Sequence, residues 1–81
     1  MSVIGLIGHL GLLLHCGQDV KSIVENLVQK KESYPSSAEF KSLLDDAIAL
    51  LQSGIIGLPA DVQATMVSAL QLAESQLFPA K

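Results

Sequence analysis

The sequence predicts an all-α fold, a small compact bundle of three to four helices, on three observations. Apolar residues recur three and four positions apart along most of the chain, which is the period of a helix with one buried face. No run alternates apolar and polar residues at the period of a strand. The breaks between the apolar stripes are short and carry Gly, Pro, Ser or Asp, residues typical of helix ends. We therefore expect helices at about residues 2–15, 19–32, 37–53 and 59–77.

The length and composition indicate a single helical domain over residues 1–81. A chain of 81 residues lies near the lower size limit for a self-sufficient core, and a hydrophobic content of 49% is ample for one. The short connections between consecutive helices favour antiparallel neighbours in a compact bundle.

The first predicted helix differs from the others because no charged side chain precedes Asp19. A helix that is apolar nearly all round must be central in a bundle or covered by another molecule. Gly5, Gly8 and Gly11 recur at every third position, and each costs up to ~1 kcal/mol relative to alanine in a helix. Close packing of helix backbones would offset that cost. The alternative is that residues 1–17 form an apolar, non-helical arm.

The second and third predicted helices have recognisable ends. Gly17 is a candidate C-cap between the first two helices, and Gly54 is a candidate C-cap for the third. The second helix is amphipathic, so its apolar side is expected to face the core. The third begins with a capping box formed by Ser36 and Glu39, flanked by Pro35 and Phe40 in the positions of a hydrophobic staple.

The connection before the last predicted helix is unusually apolar. Residues 54–59 read Gly-Ile-Ile-Gly-Leu-Pro, whereas connecting segments are normally polar because their backbone needs solvent. Pro59 suits the first helical turn, and Asp61 places a carboxylate near the positive end of the helix dipole. We expect the apolar residues of this turn to be covered, either by the core or by a partner.

Charge and cysteine content exclude several classes of function. Five lysines against eight Asp and Glu residues give a net charge of −3, and no basic cluster is present. Nucleic-acid binding depends on neutralised phosphates, so we expect no nucleic-acid partner. Cys16 stands alone, so an intramolecular disulfide cannot form.

The polar residues do not predict a catalytic, cofactor or metal site. His9 and His15 lie six positions apart, and His15 and Cys16 point in directions about 100° apart on a helix, so they do not share a metal-binding face. Asp45 and Asp46 are adjacent and diverge, so they cannot form a close acid–base pair. We expect no cofactor and no enzymatic activity.

The apolar N-terminal run does not predict a signal peptide or a membrane span. No basic residue precedes it, as a secretory signal would require. Residues 3–14 would form a helix about 18 Å long, against a hydrocarbon core of ~30 Å. The expected location is therefore cytoplasmic or within an assembly.

These observations predict a non-enzymatic helical module that works by protein–protein contact. Its partner would be a second copy or another, larger protein, and its size would suit a small structural, assembly or inhibitor protein, including a viral one. The predicted partner-binding residues are the apolar ones of the first segment and of the turn: Val3, Leu6, Ile7, Leu10, Leu13, Leu14, Ile55, Ile56 and Leu58.

Two alternatives use the same apolar residues. The first is a peripheral membrane protein that lays residues 3–14 in the interface as an in-plane helix, although no Lys, Arg, Trp or Tyr flanks the segment as an anchor. The second is a bundle that holds a fatty ligand between its leucine-rich helices. Protein contact is preferred because the anchoring residues are missing.

Overall fold

The chain forms four α-helices and no strand in residues 2–34 and 36–79, which are the residues that the computed structural model describes. The helices are α1 (Val3–His15), α2 (Val20–Lys31), α3 (Ser37–Gln52) and α4 (Ala60–Leu77). The predicted all-α bundle is confirmed, and each predicted helix end lies within one residue of the observed one. Residues 3–15 form a packed helix rather than a non-helical arm.

Side-chain caps define three of the helix starts. The Ser2 Oγ atom accepts from the Gly5 backbone amide at 3.0 Å, and the Asp19 carboxylate accepts from the Ser22 amide at 2.9 Å. The amide hydrogen bond from Ser22 lowers the pKa of Asp19. At the start of α3, Ser36 Oγ accepts from the Glu39 amide at 3.4 Å, as the capping box predicts.

Glycines end α1 and α3 as predicted. Gly17 has a φ of 86°, and its amide donates to the Leu14 carbonyl at 3.0 Å while the Gln18 amide donates to the Leu13 carbonyl at 3.0 Å. This pair of bonds is a Schellman motif. Gly54 likewise has a positive φ of 78° after α3. Pro35, the predicted staple residue, lies outside the described residues.

One apolar core joins all four helices. α4 packs mainly against α2 and α3, and α1 packs mainly against α3. Each helix contributes side chains with almost no exposure: Leu6 and Leu10 from α1, Ile23 and Leu27 from α2, Phe40, Leu44 and Leu51 from α3, and Met66 and Leu70 from α4. A single chain therefore buries one full face of the apolar α1 helix without a partner.

Candidate protein interaction surface

The outward face of α1 is apolar and exposed. Ile4 is 61% exposed and Leu12 is 59% exposed, and Gly5, Gly8 and His15 are exposed on the same side of the helix. Residues at these spacings share one helix face. We call these five residues the α1 face. It carries no Lys, Arg, Asp or Glu, because α1 contains none.

The chain itself gives no packing reason for the glycine at position 8 of this face. A Cβ atom added at Gly8 would meet nothing within 4 Å. At Gly11, beside the α1 face, a Cβ atom would lie 3.6 Å from the Met66 Cε atom, an ordinary van der Waals contact. The cost of Gly8 in the helix, up to ~1 kcal/mol relative to alanine, is therefore not offset by a close approach within the chain.

Three of the predicted partner-binding residues are corrected by the structure. Leu6 and Leu10 are 0% exposed and Ile7 is 6% exposed, all within the chain's own core. They cannot meet a partner while the bundle is folded. The reason is that the apolar stripe with the clearest helical spacing is the stripe that the bundle uses for itself, which leaves the opposite side of α1 to the solvent.

The remaining predicted residues divide between partial burial and exposure. Five of them are half-buried and pack against the core: Val3, Leu13, Leu14, Ile56 and Leu58. Ile55, in contrast, is 77% exposed in the turn before α4. Its membership of the same interface as the α1 face stays a prediction.

Ile4 and Leu12 were absent from the predicted set. The sequence did carry a signal for them, since both lie outside the main apolar stripe of the first helix and yet are large and apolar. In an amphipathic helix those positions are normally polar. A large apolar residue at a normally polar helix position is therefore the sequence feature that indicates this exposed face.

The soft metal ligands are dispersed. The His9 Nε2 atom lies 3.0 Å from the Asn26 Oδ1 atom on α2, whereas His15 and Cys16 are exposed. Among residues 2–34 and 36–79, no group of three or more His, Cys, Asp or Glu residues is placed to hold a metal ion.

A carboxyl pair across α3 and α4 was not predicted. Lys41 Nζ lies 3.0 Å from Asp45 Oδ2, and Asp45 also meets the Glu74 carboxyl group of α4. Burial, together with the nearby Asp45 carboxylate, raises the pKa of Glu74 to about 7. The pKa of Asp45 is lowered by its hydrogen bonds with Glu74 and Lys41. The sequence drew attention to Asp45 and Asp46, but the structural neighbour of Asp45 comes from another helix.

A surface groove of about 410 Å³ lies between α2 and α4. Its apolar lining comes from Val20, Val24 and Leu72, and its polar lining from Lys21, Glu25 and Gln76. The groove opens on the surface and does not reach between the core leucines. It therefore differs from the internal site that a fatty ligand between the helices would need.

Comparisons with known proteins found no match to this chain. No protein-family model, no curated protein and no solved structure matches the chain. Within the described residues, none of the four helices combines the length and the apolar character needed to cross a bilayer.

Proposed function

We propose that this chain is a non-enzymatic helical interaction module that binds another protein chain through the α1 face. The observation that carries the proposal is the exposure of Ile4 and Leu12, each about 60%, on a helix without Lys, Arg, Asp or Glu. Among the described residues, every Lys, Asp and Glu lies on the other three helices or in their connections. The α1 face is thus the part of the surface where apolar contact meets least electrostatic opposition.

The energetics favour covering this face. Fully burying a leucine or isoleucine side chain contributes roughly 1.5–3 kcal/mol, so covering the exposed parts of Ile4 and Leu12 contributes about 1–2 kcal/mol each. Gly8 lies between them and leaves room for a second backbone to approach closely. Such an approach would explain a glycine that the chain's own packing does not require.

A second copy of the chain is the partner that fits the spacing of the face. Ile4 and Leu12 each lie four positions from Gly8, on the same side of the helix. Two antiparallel α1 helices that cross at Gly8 would place Ile4 of each chain beside Leu12 of the other, which is the self-complementary arrangement of a two-fold dimer. Each chain has a net charge of −3, but α1 carries no Asp or Glu, so the contact itself would bring no carboxylates together.

Sedimentation equilibrium of the full chain over a range of concentrations tests the proposal. We expect the wild type to dimerise and Leu12→Glu to remain monomeric with unchanged helix content. The matched control is Leu72→Glu, because Leu72 is also exposed but lies on α4, away from the α1 face. This variant should dimerise like the wild type. A monomeric wild type that binds no dye for exposed apolar surface would contradict the proposal.

The runner-up is an in-plane membrane helix that uses the same exposed residues. Flotation with liposomes distinguishes it from protein contact. If the wild type floats with vesicles and Leu12→Glu does not, the membrane reading replaces the proposed one. We expect neither protein to float, because α1 has no flanking aromatic or basic anchor.

A further inference from the structure

Where α3 and α4 pack together, which we call the α3–α4 seam, one buried carboxyl oxygen lacks a hydrogen-bond partner. The Glu74 Oε1 atom is buried and has no hydrogen-bond partner among the described residues. Its side chain meets Asp45, which is itself held by Lys41 at 3.0 Å. Two carboxylates cannot hydrogen-bond to each other because neither has a donor, whereas a carboxylic acid can donate to a carboxylate. One proton therefore converts a repulsive contact between α3 and α4 into an attractive one.

We propose that Glu74 and Asp45 share one proton across the α3–α4 seam, and that release of this proton to water loosens α4 from the bundle. This shared proton is independent of the α1 face, since neither Glu74 nor Asp45 belongs to α1. It makes the stability of the fold sensitive to pH near neutrality, where most side-chain carboxyl groups are already ionised.

The charged groups around Glu74 come chiefly from α3. Asp45 opposes ionisation of Glu74, and Lys41 favours it more weakly. From α2, Lys31 reaches this end of α4 and places its Nζ atom 5.7 Å from the centre of the Phe78 ring, one turn after Glu74. α1 carries no Lys, Arg, Asp or Glu, and of its two histidines His9 is hydrogen-bonded to Asn26 while His15 is exposed on the outward α1 face.

The other charged residues of α2 that lie near α4 are on the side of α4 opposite to Glu74. Lys21 and Glu25 line the groove with Leu72 and Gln76, each two positions from Glu74. Residues two positions apart point in nearly opposite directions on a helix. Lys21 and Glu25 therefore do not face Glu74.

The direction of the pH effect follows from the shift at Glu74. The ordinary pKa of 4.5 is raised to about 7 in the folded chain, so the folded state holds a proton that the unfolded state has lost between these values. The contribution is fully present below pH 4.5, decreases as the pH rises, and is lost above about pH 7. A shift of this size allows at most a roughly 300-fold change in the unfolding constant. Because Glu74 is only half-buried, we expect about tenfold.

Urea unfolding of the full chain between pH 5 and 7.5 tests the proposal. We expect the unfolding constant of the wild type to rise about tenfold across this range through Glu74. Glu74→Gln, a neutral residue of similar shape that retains a donor for Asp45, should remove this rise. Glu25→Gln is the control, because Glu25 is an exposed glutamate facing away from the seam. The histidines are present in every variant, so their contribution cancels in the comparison.

A titration of the wild type by NMR gives the second, independent measurement. The carboxyl carbon of Glu74 should titrate with a midpoint well above the ordinary value of 4.5. A midpoint below 5, or a Glu74→Gln variant that keeps the same pH dependence as the wild type, would overturn the proposal. The NMR result decides the question even if Glu74→Gln folds poorly.

Discussion

Both faces of α1 carry large aliphatic side chains, but one face is buried in the bundle and the other is exposed. On the inward face, Leu6 and Leu10 are 0% exposed and are fixed in the common core. On the outward face, Ile4 and Leu12 are about 60% exposed, with Gly8 between them. A soluble surface helix normally carries polar residues outside. The comparison teaches that α1 carries more apolar surface than the bundle buries, and that the exposed part lies on the outward face of the helix.

The largest effect should come from truncating the inward face. Leu10→Ala should lower the free energy of unfolding by about 2–5 kcal/mol, because it removes a fully buried side chain and leaves a cavity. Leu12→Ala, measured at a concentration where the chain is monomeric, should change it by less than about 0.5 kcal/mol. Urea unfolding followed by circular dichroism measures both. Equal losses of unfolding free energy for the two variants would show that the inward and outward faces of α1 contribute equally to the stability of the bundle.

Replacing Gly8 or Gly11 with alanine should have a smaller effect and should increase the stability of the monomer. Gly8→Ala should stabilise the monomer by up to about 1 kcal/mol, since the added methyl group meets nothing and alanine favours the helix. Gly11→Ala should stabilise the monomer at least as much, because its methyl group would make an ordinary van der Waals contact with Met66. Thermal unfolding of dilute protein measures these changes. The same Gly8→Ala variant should associate more weakly than the wild type, and unchanged association would remove the role given to Gly8.

Helix positions could be predicted closely because their determinants are local. Ser36, Gly17 and Gly54 act within a few residues of themselves, and each has the role that its residue type indicates. The apolar stripes are likewise a property of one helix at a time. The fold class and the helix ends therefore follow from the sequence without knowledge of how the helices pack.

The candidate surface could be predicted only in part, because it depends on packing between helices. The spacing of Leu6 and Leu10 is the same for a residue that faces the core and for one that faces a partner. Which side of α1 remains exposed is decided by the position of α3 and α4. The Asp45–Glu74 pair was missed for the same reason, since it joins residues 29 positions apart on two helices.

Disulfide trapping at Gly8 tests the central claim most directly. In a Cys16→Ser background, the Gly8→Cys variant places a single thiol where two α1 helices would cross. Disulfides form when Cα atoms are about 4.4–6.8 Å apart, a distance that only a close crossing at this position provides. The matched control is Gln71→Cys in the same background, because Gln71 is exposed on α4. We predict rapid cross-linking through residue 8 and slow cross-linking through residue 71; equal rates would contradict the claim that the outward face of α1 binds a second chain.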